Sequence, residues 1–435
     1  MPVATENRPG DPRLRAPLAD LSHMFAARMA QLGPFGPAPR LAAGVSGGAD
    51  SLALALLADD WARSRGGMLL ALIVDHGLRP AAAAEAAVTA ELLAARGISA
   101  RTLRAENLLP GPGLAERARA ARFHLLAASC AAAGITDLLV AHHAADQAET
   151  VLIRALSASG PAGLAGMAAL RETEKIRLLR PLLGIPPVRL RDFLRAAGLE
   201  WVEDPSNIDV HALRPRLRAL RADRAGDGPA TFALLAAAQA AGKTRATAEA
   251  ASAAWLAEHV DMNPEGFALL PPEDLRADAL ASLIQTFSGA PFPPPAAPVA
   301  SLVARPRPAT LAGTRLLRAG RLGPGWLLTR EASAMAPQVA ARPGAVWDGR
   351  FRLHDAATPP TDATLGPLGP DAAGLRHLTS LPAAVLVTLP AIRCGKTLFA
   401  VPHLGYPDAD CCARTEIWFS PLHPVAGAPF AFAVG

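Results

Sequence analysis

The chain has 435 residues, 51% of them hydrophobic and 19% charged, which excludes a disordered polymer and asks for more than one core. A net charge of +5 leaves a polyanionic partner open, although only three of the 43 basic residues are lysine, a bias equally expected of a GC-rich genome. The four cysteines (Cys130, Cys394, Cys411, Cys412) show no CxxC spacing, and no signal-type or 18-residue apolar run appears, so a soluble, reduced, cytoplasmic protein is expected.

From about residue 40 to 200 apolar, strand-like runs (Leu41–Val45, Met68–Val74, Ile98–Leu103, Leu138–Ala141, and around Ile176–Leu179) alternate with helical patterns at about 52–65, 82–96, 114–133, 145–157 and 187–197. This rhythm predicts an α/β fold, a parallel sheet with helices on both faces, whose ligands sit at the carboxyl ends of the strands. The polar residues fall there: Ser46 after the first strand, Asp75-His76 after the second, His142-His143 after the fourth. The chain is therefore divided into a catalytic domain over 1–224, a helical domain over 225–290, a proline-rich linker over 291–310 and a β-rich C-terminal domain over 311–435. The last is read from short runs such as TRLLRAG, GWLLTR, AVLVTLPAI and TLFAVP.

The turn between the first strand and helix reads Ser46-Gly47-Gly48-Ala49-Asp50-Ser51. Two glycines alone describe a plain strand-to-helix turn. Their N–H groups beside a helix N-terminus also form an anion nest, and the flanking serines and Asp50 favour a phosphate with Mg²⁺. The lysine of the mononucleotide loop is missing, and neither Gly242-Lys243-Thr244 nor Gly395-Lys396-Thr397 has the required upstream glycine; these read as a helix end and a hairpin turn. A loop without lysine relies on backbone dipoles and a metal, which suits a departing pyrophosphate.

Elsewhere the residue patterns stay ambiguous by themselves. Glu116, Arg119, Arg122 and Phe123 share helical spacings and read as a surface ion pair or as a ligand-facing row. His142 and His143 lack the HExxH pattern of a zinc site. The basic cluster Arg214, Arg216, Arg218, Arg221 and Arg224 reads as a solvated face or a nucleic-acid contact.

SGGADS resembles the pyrophosphate loop of the PP-loop ATPases, which adenylate their substrates. VDHGLRP (74–80), GLAERARAARFHLL (113–126), the 141–167 segment and WVEDPSNIDVHALRPRLR (201–218) are similar, in order and separation, to the tRNA(Ile)-lysidine synthetases. The resemblance covers about residues 38–220, and more loosely the WDGRFRL string (347–353). It departs in two places. Ala145 stands where the family usually has the first acid of HHxDDQ, and Ala212-Leu213-Arg214-Pro215 occupies the FxRN segment.

The resemblance implies an adenine-nucleotide-α-hydrolase-like fold and a ligase that uses ATP and Mg²⁺. The wobble cytidine of a CAU-anticodon isoleucine tRNA is adenylated, and free L-lysine then displaces AMP to give lysidine, changing codon reading from AUG to AUA. It assigns Ser46, Gly47, Gly48, Ala49, Asp50, Ser51, Asp75 and His76 to the nucleotide, and Asp50 and Asp146 to the metal. His142 and Glu149 join the two aspartates as catalytic residues, with either one accepting the amine proton. Arg79, Glu116, Arg119, Arg122, Asn207, Arg214 and Arg218 are assigned to substrate and tRNA. No membrane or protein partner is implied beyond an open possibility of a homodimer. The alternatives are another PP-loop tRNA-modifying enzyme, or a weakened RNA-binding homologue suggested by Ala145 and Pro215.

Overall fold

The computed structural model describes residues 12–75, 77, 82–105, 111, 113–202, 216–217, 223 and 225–432, with backbone only at 12–18 and 115. Two compact units emerge, one of residues up to 247 joined by those from 428 onward, the other of 248–427. The unit with the parallel sheet thus runs past 224 and takes in the C-terminal tail.

The first unit runs α1 (Pro12–Leu32), β1 (Arg40–Val45), α2 (Ala49–Arg63), β2 (Met68–Asp75), α3 (Ala82–Ala94), β3 (Ser99–Arg104), α4 (Leu114–Ala132), β4 (Asp137–Leu139), α5 (Ala144–Leu156), α6 (Pro161–Leu164), β5 (Leu170–Glu172), β6 (Arg177–Leu179) and α7 (Pro187–Ala196). α8 (Pro229–His259) begins here and reaches into the second unit. The strands form one sheet in the order β3-β2-β1-β4-β6-β5, parallel except for β5. β1 lies between β2 and β4, so the chain leaves it in opposite directions on either side. The loops after β1 and β4 thus lie side by side at the carboxyl ends of the strands, where sheets of this kind bind their ligands.

Alternation along the strands builds a core on each face. Leu41, Ala43 and Val45 of β1 join Leu69, Ala71 and Ile73 of β2 under α1, α2, α3 and α7. Ala42, Leu70, Leu72 and Leu138 face the other way, against Leu126 and Cys130 of α4. The expected helices on both faces are present. α1 was not expected, yet Leu21, Phe25, Met29 and Leu32 recur at helical spacing and are all buried.

In the second unit β7 (Asp261–Asn263) and β8 (Phe267–Leu270) form a hairpin and are followed by α9 (Ala277–Ser288) and α10 (Ala296–Ala304). Then come β9 (Ala309–Leu311), β10 (Thr314–Arg318), β11 (Trp326–Arg330), β12 (Val339–Ala340), β13 (Val346–Trp347), β14 (Phe351–Leu353), β15 (Ala363–Pro367), α11 (Ala383–Leu386), β16 (Pro390–Cys394), β17 (Thr397–Ala400), α12 (Ala409–Arg414) and β18 (Ile417–Phe419). The strands make antiparallel sheets β7-β8-β11-β10-β9, β12-β15-β16-β17 and β13-β14-β18.

Three expectations differ here. Residues 225–290 hold the expected helical patterns as α8 and α9, but also the β7–β8 hairpin, which Gly266 turns at φ +80 and in which Phe267 and Leu270 are buried. The segment 291–310 is not a plain linker: its prolines precede and open α10, whose Val299 and Leu302 are buried. Proline is tolerated in a first turn because no N–H is lost from the ladder. The run AVLVTLPAI is helical at its start and extended only from Pro390, with Pro382 opening α11.

Gly242-Lys243-Thr244 also lies inside α8 rather than at a helix end. A Cβ at Gly242 would stand 2.7 Å from Cβ of Phe432, so the missing side chain is what admits the C-terminal tail. The tail continues onto the sheet, where Ala169 N–H donates to Ala431 O at 2.7 Å.

Candidate active site

The turn after β1 folds by its own hydrogen bonds. Ser51 Oγ donates to Gly48 O at 3.0 Å and accepts Ser46 N–H at 3.0 Å. Its one hydrogen is thereby committed, so Ser46 Oγ, 3.2 Å away, is the donor between the two hydroxyls. The first helical bond of α2 is Leu52 N–H to Gly48 O, which leaves the N–H groups of Ala49, Asp50 and Ser51 without intrahelical acceptors. Gly47 sits at φ +83, and a Cβ there would be 2.6 Å from Thr89 Oγ1. The backbone is shaped to receive an anion at the positive end of a helix.

The loop after β4 meets this turn. His143 is the N-cap of α5, and its Nε2 lies 3.3 Å from Oδ2 of Asp50 and 3.6 Å from Oδ2 of Asp146. Asp146 Oδ2 also accepts the His143 N–H at 3.1 Å, which holds the carboxylate over the helix start. Asp50 Oδ1 is buried with no hydrogen-bond partner among the described residues. Two carboxylates flanking one point, one with an orphaned oxygen, fit a hard divalent cation that completes its shell with phosphates and water. Among the described residues no group of three or more His, Cys, Asp and Glu side chains forms a fully protein-ligated metal centre.

Ala145, the departure from the family pattern, is buried and packs where Gly226 passes: a Cβ on Gly226 would be 3.2 Å from its own. Position 145 therefore faces packing, and the carboxylate that shares the His143 imidazole with Asp50 belongs to Asp146. Gln147 is buried and braces the loop beyond, its Oε1 accepting Met167 N–H at 2.8 Å. Glu149 is fully buried one turn further along α5.

His142 stands among cations. Burial pushes it down to about 3, with Arg180, Arg119 and Arg122 adding to the shift and Asp146 opposing it. Arg119 and Arg122 on α4 bracket the Phe123 ring at 5.2 and 5.5 Å, and burial followed by the charge of Arg119 lowers Arg122. Glu116 lies exposed on the first turn of the same helix. Asp75 ends β2, and its Oδ1 accepts Gly77 N–H at 2.8 Å, shaping the next turn. His76, Arg79, Asn207, Arg214 and Arg218 lie outside the described residues.

Two residues at this centre escaped the sequence-based assignment. His143 was noticed only as half of a pair, although its imidazole spans the two carboxylates. Arg180 was not singled out; its buried guanidinium donates from Nε to His142 Nδ1 at 3.3 Å. Its signal was slight: an arginine one residue past a buried strand end.

Cys130, the lone cysteine of this unit, is packed into the core under α4, and burial pushes its thiol up to about 11. That is the environment of an inert thiol. No described helix is long and apolar enough to cross a membrane.

Residues 21–222 match the PP-loop domain family. A tRNA(Ile)-lysidine synthase of Mesorhizobium japonicum is 40% identical over 396 residues, covering 85% of this chain and 84% of that protein. One from Ruegeria pomeroyi is 35% identical over 401 residues, covering 88% and 92%. A third, from a Bradyrhizobium species, is 45% identical over 207 residues that make up 47% of this chain and 58% of that protein.

Proposed function

The chain belongs to the tRNA(Ile)-lysidine synthase family of PP-loop proteins, and from that premise we propose that it joins L-lysine to C2 of the wobble cytidine in a CAU-anticodon isoleucine tRNA, using ATP. The observation that carries this reading is the convergence of Asp50, Asp146 and His143 at the N-termini of α2 and α5, beside a loop with no lysine. Such a site suits release of pyrophosphate rather than transfer of a γ-phosphoryl group.

In this reading the turn 46–51 cradles the β- and γ-phosphates with backbone N–H groups. Asp50 and Asp146 are the residues that would hold Mg²⁺, which would supply charge neutralisation on the departing pyrophosphate. The cytidine O2 attacks the α-phosphorus, and the bond to the bridging oxygen breaks. Arg119 and Arg122 offset negative charge near the reacting phosphoryl group. The ε-amine of lysine then attacks C2, and AMP leaves. Of the two acceptors considered for the amine proton, His142 has its Nδ1 lone pair occupied by Arg180, which favours Glu149, a buried carboxylate of α5.

The decisive experiment incubates the protein with ATP, Mg²⁺, labelled lysine and a CAU-anticodon isoleucine tRNA transcript. Label incorporation that requires both ATP and the cytidine is expected. ATP binding without incorporation would instead favour a weakened RNA-binding protein. In a parallel reaction with a sulfide donor in place of lysine, incorporation of sulfur would favour a thiolase, a chemistry for which the buried Cys130 offers no support.

A further inference from the structure

Arg180 follows β6 and is 8% exposed. Its Nε donates to Nδ1 of His142 at 3.3 Å and its NH1 to the carbonyl oxygen of Ala168 at 2.6 Å. A guanidinium carries only donors and keeps its proton. The contact at His142 Nδ1 therefore requires a lone pair there, which places the single hydrogen of the neutral ring on Nε2.

The arginine is itself held by a built frame. Gln147 on α5 accepts Met167 N–H at 2.8 Å and donates to Met167 O at 3.2 Å. Arg154, two turns further, donates to Gly163 O at 2.8 Å and Gly166 O at 2.6 Å. These bonds pin the segment that presents Ala168 O, and Arg180 N–H also donates to Ala169 O at 2.8 Å. Gly166, at φ +70, lets the chain pass so close to Gln147 that a Cβ would meet its amide at 2.6 Å.

We propose that Arg180 is a positioning residue that fixes His142 as a neutral, Nε2-protonated imidazole, and so makes it a hydrogen-bond donor to phosphoryl oxygen during adenylation rather than a proton acceptor. The second half rests on the adenylation reading above; the first rests on geometry alone. The groups facing the ring agree with it. Arg119, Arg122 and Arg180 would all repel an imidazolium, and among the described residues Asp146 would favour one. Two-point anchoring of the guanidinium, rather than one contact, is what makes the ring orientation a consequence of Arg180.

The test uses the full chain with ¹⁵N-labelled histidine, without ATP or tRNA, and assigns the His142 ring signals by their loss in His142→Gln. The expected spectrum shows an unprotonated Nδ1 and a protonated Nε2, unchanged from about pH 7.5 to about 5.5. Arg180→Met should abolish this pattern, giving mixed tautomers or a ring that protonates within that range. It should also slow tRNA-dependent pyrophosphate release by about 10- to 100-fold, while the KM for ATP changes by less than about threefold. Arg180→Lys, which keeps a donor but loses the fork, should hold the Nδ1 lone pair only in part and restore only part of the rate. A protonated Nδ1 in the parent chain overturns the proposal, as does an unaltered tautomer in Arg180→Met. If Arg180→Met does not fold, the parent and Arg180→Lys spectra still decide. Failure of the parent to release pyrophosphate would count against the adenylation reading and leave the spectral test standing.

Discussion

His143 Nε2 lies 3.3 Å from Oδ2 of Asp50, so the loop after β4 touches the turn after β1 through one imidazole. The same nitrogen is 3.6 Å from Asp146, which makes the two carboxylates a pair although each belongs to a different helix. Asp50→Asn and Asp146→Asn keep the shapes and remove the charges. Each should reduce pyrophosphate release by about 10²- to 10³-fold or more, the usual cost of one preorganised electrostatic partner. Filter binding of the tRNA should change little. Normal pyrophosphate release by Asp50→Asn would remove Asp50 from the metal assignment.

Gly47 tests the shape of the turn rather than its charge. Alanine there faces φ +83 and a Thr89 hydroxyl 2.6 Å from the new methyl, while that hydroxyl is bonded to Glu85 O at 2.7 Å. The strained backbone alone costs about 1–3 kcal/mol. In Gly47→Ala, relief of that strain reshapes the turn, and restoring the shape on binding should lower ATP affinity by about 5- to 150-fold, measured by calorimetry. Adding Thr89→Ala removes the collision but not the φ penalty, so only part of the affinity should return. Full recovery in the double variant would show that the clash, not the backbone, is the constraint.

Much of this centre was legible because strands buried on both faces read as continuous apolar runs, with polar residues marking where each strand stops. Ser46, Asp50, Asp75, His142 and Asp146 sit at or just beyond those ends. What escaped was long-range. Arg180 and His142 are 38 residues apart, and nothing in either local string announces the bond. The proline-rich 291–310 segment misled for a different reason: composition counts prolines without noting that they open α10. α1 carried a readable apolar period in Leu21, Phe25 and Met29, and was missed only because polar and small residues dominate between them.

His142 also makes the catalytic unit sensitive to acid. Its folded pKa is depressed to about 3, by burial first and then by the neighbouring arginines, against Asp146. As pH falls below the ordinary value of about 6.5, the unfolded chain binds a proton that the folded chain refuses. Stability is therefore complete above about pH 6.5 and declines towards about pH 3, by about 2 kcal/mol between pH 7 and pH 5. Urea unfolding followed by exchange protection of β4 and α5 should show that loss. His142→Gln, which cannot titrate, should flatten it. An unchanged slope in that variant would place the sensitivity at another group.

The second unit is tied by a buried charge cluster. Asp348 accepts from Arg330 Nε at 2.9 Å and NH2 at 3.0 Å, and from Arg350 Nε at 2.8 Å. Arg350 is fully buried, and burial lowers it to about 10 despite the adjacent carboxylate. Burial opposes ionisation of Asp348 too, but the two arginines and Ala336 N–H outweigh it and hold the carboxyl below its usual range. Asp348→Asn would leave two guanidiniums buried without a counter-charge, a change that costs about 3–5 kcal/mol. Arg350→Met leaves a one-to-one pair between Asp348 and Arg330, with an apolar stem in the vacated volume, and should cost clearly less. Hydrogen–deuterium exchange across β13 and β14 distinguishes the two, since Trp347 and Phe351, whose rings stack at 6.2 Å, adjoin Asp348 and Arg350 in the chain. Equal destabilisation by both variants would mean that packing around Arg350, and not the balance of charge at Asp348, is what holds this part of the unit together.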